Sequence, residues 1–237
     1  MGKDFFSFKK FEIHQDKCAM KVGTDGVLLG AWSEVSHARR VADIGTGTGL
    51  VAIMLAQRSE ASEIRGFEID AAAAGQAQSN MQSTPWSGRL YAECGDIKQI
   101  WQKYASYFDV IVSNPPFFRE NVKCSHEKRN TARHTDDLSF EELVESVSGM
   151  LCEGGYFNVI IPYEAATDFI GISISKGLYL SRRTNVYTKP HSVPKRVLME
   201  FVKGNAGTVS VCNDLILNEN GQRTEEYSRL TSEYYLC

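Results

Sequence analysis

No apolar run in this chain is long enough to span a bilayer, which needs about 20 residues. The stretch from Met1 to Phe11 shows no basic-then-apolar leader. Six cysteines (Cys18, Cys94, Cys124, Cys152, Cys212 and Cys237) show neither C-x-x-C pairing nor metal-ligand spacing, which excludes a zinc-stapled or disulfide-framed fold. Their use suggests a reducing compartment, so a cytoplasmic protein is expected. Cys94 reads as a core residue. His126 and His134 have no carboxylate at metal spacing, so no metal is expected; His14 and His191 stay unassigned. The two signs of charge nearly balance, 26 Lys and Arg against 29 Asp and Glu, for a net value of −3. That does not advertise a nucleic-acid binder, although a local basic face needs no bulk excess. Internal repeats and low-complexity segments are also missing. What remains is a chain of 237 residues, 43% hydrophobic, able to bury a full α/β core.

The most informative stretch present is Ser113-Asn114-Pro115-Pro116-Phe117. It follows the apolar run Phe108-Asp109-Val110-Ile111-Val112, which reads as a buried strand. Two prolines stop the ladder and stiffen the turn. The loop then holds an amide and exposed carbonyls beside an aromatic ring. This suits a planar ring with an exocyclic amine: Asn114 Oδ1 and the Pro115 carbonyl accept the amine hydrogens and Phe117 stacks. A rigid strand end with a capping Asn is the other reading.

A second motif runs from Arg40 to Leu50. Val41-Ala42-Asp43-Ile44 reads as a strand, Gly45-Thr46-Gly47-Thr48-Gly49 as a tight loop, and Leu50 as a helix start. Glycines let the backbone approach a ligand, and the helix N-terminus offers unpaired N–H groups. Asp43 could meet a cationic amine. The next strand ends at Glu68, about 20 residues beyond the loop, the usual distance for a ribose-binding acid. A third strand, Arg89 to Cys94, leads to Gly95-Asp96-Ile97. Asp96 could accept from an adenine amino group or cap the next helix.

Strands alternating with helices imply a doubly wound, mostly parallel sheet. In that topology the first and fourth strands are neighbours, so the glycine loop and the Asn114 motif should open into one crevice. Further helices are expected over Ala71–Ser83, Phe140–Leu151 and 165–176, with a fifth strand over Tyr156–Ile161 and a sixth over 197–202. One more strand is drawn from 179–186 or from the stretch around Val209 to Cys212, placing an antiparallel hairpin at the edge of a seven-stranded sheet. Residues 1–38 read as an extension anchored by Phe5, Phe6, Phe8 and Phe11, as a hairpin or a short helix, and 39–237 as the main domain. Thr24 and Asp25 cap the following helix, Thr24 with a part in the cofactor wall. The long loop from Phe118 to Leu138 carries Arg129 and Arg133, spaced to face one way on a helical turn. Lys9, Lys10, Lys195 and Arg196 could widen their patch.

The ordered motifs resemble those of the class I S-adenosylmethionine-dependent methyltransferases, and Asn-Pro-Pro-aromatic resembles the branch acting on planar amino nitrogens. The N-terminal blocks Phe8-Lys9-Lys10-Phe11 and Asp16 to Trp32, together with Cys124-Ser125, Arg129, Ala132-Arg133 and Pro194 to Leu198, resemble the bacterial tRNA valine adenosine-37 N6-methyltransferases. The stretch from Gly204 to Gly221 matches loosely. The resemblance implies S-adenosyl-L-methionine as cofactor, held by Thr24, Asp43, Gly45, Thr46, Gly47, Gly49, Glu68, Asp96, Ile97 and Asn114. It implies Asn114, Pro115, Pro116 and Phe117 as the catalytic motif. It also implies tRNA as partner, and Lys9, Lys10, Arg129, Arg133, Lys195 and Arg196 are the cations expected to form a rim for its phosphates; the oligomeric state is open, with a monomer favoured. Ribosomal guanine N2, a glutamine amide, a nicotinamide-dependent oxidoreductase or a non-catalytic RNA-binding module are the alternative readings.

Overall fold

The computed structural model describes residues 4–116, 138–204 and 211–236. An N-terminal hairpin, β1 (Phe5–Ser7) and β2 (Glu12–His14), precedes α1 (Thr24–Trp32). The alternating part follows: β3 (Arg40–Ile44), α2 (Leu50–Arg58), β4 (Glu63–Glu68), α3 (Ala71–Gln82), β5 (Leu90–Cys94), α4 (Ile97–Ile100) and β6 (Phe108–Ser113). Next come α5 (Phe140–Met150), β7 (Leu151–Pro162), α6 (Ala166–Ser175), β8 (Leu178–Tyr187) and β9 (Arg196–Lys203). The chain closes with β10 (Val211–Ile216), a small pair β11 (Asn218–Glu219) and β12 (Gln222–Arg223), and α7 (Glu225–Thr231).

The central sheet runs β10-β8-β9-β7-β6-β3-β4-β5. It has eight strands where seven are expected. Both candidate segments for the additional strand are used: β8 pairs antiparallel with β9, and β10 adds outside β8, parallel to it. β10 is hard to see in the sequence because Val211, Cys212, Asn213 and Asp214 are all exposed, and only Leu215 is buried against the core. β7 starts five residues before the expected Tyr156. Gly154 takes a left-handed φ of 74° and the register against β6 shifts between Phe108 and Val110, so the early part of the strand carries a bulge that breaks the apolar pattern.

Apolar side chains cover both faces. Val41, Val110, Val112 and Leu198 face Leu28 of α1, Ile53 of α2, Met81 of α3 and Tyr227 of α7. Ile111, Phe157, Val159 and Phe201 face Leu143 and Val147 of α5 and Phe169 of α6. α5 opens with a capping box: Ser139 Oγ accepts from the Glu142 amide at 3.2 Å and Glu142 Oε2 from the Ser139 amide at 2.9 Å. Residues 4–38 lie against this core. Phe8 and Phe11 are buried and stacked at 4.7 Å, while Phe5 is largely exposed. The extension is thus a hairpin followed by a core helix. Cys94 differs from expectation: it stands at the sheet's edge strand and is exposed, its Sγ 3.8 Å from the Ile69 carbonyl.

Candidate active site

The parallel register brings the two motifs together. Ile44 pairs with Ser113, and Ser113 Oγ donates to the Ile44 carbonyl at 2.9 Å. Gly45 and Asn114 therefore leave the sheet side by side. On the other flank Ile44 pairs with Phe67, and Glu68 with Cys94, so Glu68 and Gly95 end their strands on the same rim. Asn114 is half-buried, Pro115 buried and Pro116 exposed. Phe117, Arg129 and Arg133 lie outside the described residues.

The glycine loop is built for close approach. Gly45, Gly47 and Gly49 all have positive φ (71°, 54° and 82°), a region a side chain would strain. A Cβ placed on Gly45 or Gly47 would meet nothing within 4 Å, so open space lies over the loop. Its shape is fixed from below. The Gly45 and Thr46 amides donate to the Phe67 carbonyl at 2.9 and 3.0 Å, and Thr46 Oγ1 donates to Asp43 Oδ2 at 2.7 Å. Gly66, in mid-strand on β4, is needed there: a Cβ would stand 2.7 Å from Thr46 Oγ1.

Asp43 differs from its expected role. Its side chain is 1% exposed, and Oδ2 also accepts from the Ala52 amide at 3.2 Å. The carboxylate thus joins the strand end, the loop and the first turn of α2, and is no surface for a ligand amine. Burial pushes its carboxyl up to about 6, opposed by the hydrogen bonds from Thr46 and Ala52 and assisted by the charge of Glu68. Glu68 is half-buried at the crevice, with Oε2 accepting from the Gly47 amide at 2.9 Å and Oε1 from the Asp70 amide at 3.1 Å. Asp96 caps α4, accepting from the Lys98 amide at 2.9 Å, which realises its capping reading. Ile97 beside it is buried.

The N-terminal segment reaches the same rim. Cys18 lies close enough to Glu68, Asp70 and Asp16 to feel their charge; burial first and those acids second push its thiol up to about 11, so it stays neutral. Two α3 residues that the sequence reading missed hold this segment down. Asn80, 1% exposed, accepts from the His14 amide at 3.0 Å and donates to the carbonyls of His14 and Thr48, both at 2.9 Å. Gln76 accepts from the Lys17 amide at 3.1 Å and donates to Asp16 at 2.6 Å. Amides buried on the strand-facing side of an otherwise alanine-rich helix were the available signal.

The outlying residues divide. Lys195 and Arg196 lie at the start of β9, opposite Pro162 at the carboxyl end of β7, hence on the crevice rim. Asp25 does not cap α1, which has Gly23 at its N-cap; its carboxylate accepts from Arg196 Nε at 2.7 Å instead. Thr24 is exposed at that helix start. Lys9 and Lys10 are elsewhere. Lys9 Nζ donates to the Ser232 carbonyl at 2.7 Å, and Lys10 pairs with Glu233 at 3.8 Å. Gln57, at the far end of α2 from the glycine loop, also donates to the Glu233 carbonyl, so these lysines sit away from the crevice. Among the described residues no group of three His, Cys, Asp or Glu could hold a metal ion, and no helix is long and apolar enough to cross a membrane.

A sheet of this order, with a glycine loop after β3, an acid after β4 and Asn-Pro-Pro after β6, defines a class I methyltransferase. The same fold is seen in a predicted O-methyltransferase of Agrobacterium tumefaciens, with a TM-score of 0.70 at 21% identity over 89% of this chain and 96% of that one. The methyltransferase small domain family matches residues 20–164. Similar over the whole length are proteins named tRNA1(Val) (adenine(37)-N6)-methyltransferase: that of Bacteroides fragilis is 48% identical over 100% of this chain and 99% of its own, and that of Actinobacillus succinogenes 43% identical over 98% and 97%. The chain belongs to this family of tRNA adenine N6-methyltransferases.

Proposed function

We propose that this enzyme methylates the exocyclic N6 of adenosine 37 in valine tRNA. The observation that carries the reading is the pairing of Ile44 with Ser113, which sets Asn114 beside the glycine loop. The loop's open space, the positive-φ glycines and the Glu68 carboxylate fit an adenosyl cofactor: the side-chain-free backbone lets it approach closely and Glu68 faces its ribose hydroxyls. S-Adenosyl-L-methionine, when bound, supplies an electrophilic methyl group on a positively charged sulfur.

The protein's share is orientation. The N6 lone pair is delocalised into the ring, which makes the nitrogen a poor nucleophile. Asn114 Oδ1 and the Pro115 carbonyl accept its two hydrogens, favouring a pyramidal nitrogen with a localised lone pair. They also aim that lone pair toward the glycine-loop side of the crevice, which supplies proximity. Phe117 is proposed to stack on the base. No strong base is required, because the nitrogen becomes acidic only after it has gained the methyl. An anticodon-loop base leaves its stack at small cost. Arg129, Arg133, Lys195 and Arg196 are proposed phosphate contacts, which position the RNA without reading its sequence.

The test is to incubate the protein with labelled S-adenosyl-L-methionine and total RNA, then map the labelled nucleoside. N6-methyladenosine in valine tRNA is expected. Asn114→Ala should lose transfer by at least about 100-fold, as when one preorganised hydrogen-bonding group is removed from an active site. The cofactor should still raise the melting temperature of parent and variant alike. Label in guanosine or in protein glutamine would replace the substrate assignment, and an Asn114 variant of near-normal turnover would refute the orienting role.

A further inference from the structure

A second cavity opens on the crevice rim. It measures about 280 Å³ and lies between the first turn of α1, the ends of β8 and β9, and the chain after β10. Its floor is apolar: Leu28, Val186 and Leu217 are each more than nine-tenths buried. Its mouth is polar, with exposed Thr24, Thr188 and Lys195. The one carboxylate in the wall, Asp25, is ion-paired to Arg196, so the mouth carries the positive charge of Lys195 beside a neutralised pair.

Its position ties it to the chemistry. β9 and β8 are two and three strands from β6, which puts the cavity roughly 10–15 Å from Asn114 at the usual strand spacing. The first turn of α1 packs on the first turn of α2, where a Cβ on Gly26 would stand 3.3 Å from Leu50 Cδ2. The cavity therefore adjoins the glycine-loop helix along the same rim. Small-ligand pockets run from about 300 Å³ upward, so this one takes a single flat ring system and not a dinucleotide.

We propose that this cavity seats the base of a nucleotide flanking the target adenosine. The ring lies against Leu28, Val186 and Leu217, Thr24 and Thr188 face its polar edge, and Lys195 meets its phosphate. The inference rests on the RNA-methyltransferase reading given above. It adds a second anchoring point, so that the target base is drawn out between two held positions.

The test uses the full-length enzyme and an anticodon stem-loop, either intact or with an abasic residue on one or the other side of the target. Anisotropy without cofactor reads the stem-loop Kd, methylation reads kcat and KM, and calorimetry reads the cofactor Kd. One of the two abasic stem-loops should bind the parent about tenfold more weakly, the loss of one ring face buried against aliphatic side chains. Thr188→Trp, an exposed position, should fill the cavity, weaken the intact stem-loop to the same extent, and show no further loss with that abasic substrate. Its cofactor Kd should stay unchanged, which also reports a folded protein. Lys195→Ala should lower the slope of log K against log salt by about 0.7, one single-strand phosphate contact. If Thr188→Trp binds the intact stem-loop like the parent, or its loss adds to the abasic loss, the cavity does not seat a base. A parent that neither binds nor methylates the intact stem-loop refutes the RNA reading itself.

Discussion

Asp43 shows how one buried carboxylate is placed against its own preference. It sits at 1% exposure, with Oδ2 shared by the Thr46 hydroxyl and the Ala52 amide, and its carboxyl is pushed up to about 6 from 3.8. The folded protein thus holds this proton more tightly than the unfolded chain. The stability that goes with the proton is fully present below about pH 4 and is lost as pH rises through 6. A shift of this size corresponds to about 3 kcal/mol in all, of which about 2 kcal/mol falls between pH 4.5 and pH 7. Asparagine keeps an oxygen for Thr46 and Ala52 but does not titrate. Asp43→Asn should therefore gain about 2 kcal/mol on the parent between pH 4.5 and pH 7 in urea unfolding. A parent–variant difference equal at both pH values would show that the carboxyl does not titrate there. The molecule keeps the charge, which we attribute to its hold on the loop, since the strand end, Thr46 and α2 all meet at one oxygen.

At the scale of elements, what could be read in the sequence was what repeats or punctuates. Alternating strands and helices gave the doubly wound sheet. The glycines and prolines marked the two loops that topology then brought together at Ile44 and Ser113. What could not be read was what depends on a distant partner. β10 has a single buried residue in the core, so it carries no period-two pattern. Asp25 looks like a helix cap until β9 delivers Arg196 to it from 171 positions away. Asn80 in α3 offers only the signal of an amide in an alanine-rich helix, which names no partner, yet it fastens the N-terminal hairpin and the glycine loop with three hydrogen bonds. Asn80→Ala leaves the buried Thr48 carbonyl and the part-buried backbone groups of His14 without their partner, a penalty of about 1–3 kcal/mol for a fully desolvated group and less for the others. We expect a loss of about 3 kcal/mol in denaturant unfolding, within the range for breaking a buried network. Amide exchange should quicken in both the hairpin and the 45–49 loop. Faster exchange in the hairpin alone would mean that the loop is held without it.

Over the whole molecule, the question is where a chain of net charge −3 meets an anionic substrate. The fold separates the candidate cations into two groups. Lys195 and Arg196 stand at the carboxyl end of the sheet with the crevice. Lys9 and Lys10 stand with the C-terminal segment, tied to Ser232 and Glu233 beside the far end of α2. We propose that RNA bound with its target base at Asn114 is held by the first group, while Lys9 and Lys10 tie the hairpin to the C-terminal segment. The pair Lys10–Glu233 is solvent-exposed, so it contributes little to stability. Lys9 donates to the Ser232 carbonyl and so ties the hairpin to the C-terminal segment, and its loss should lower the melting temperature slightly. The double variant Lys9→Ala, Lys10→Ala should then leave both the KM for tRNA and the salt slope of binding at parent values. A lysine that did neutralise a phosphate would instead lower that slope by about 0.7–0.9 on removal. A double variant whose slope falls by one or more such steps would place the tRNA body across the hairpin, and the docking face would extend down the side of the molecule from crevice to C-terminus.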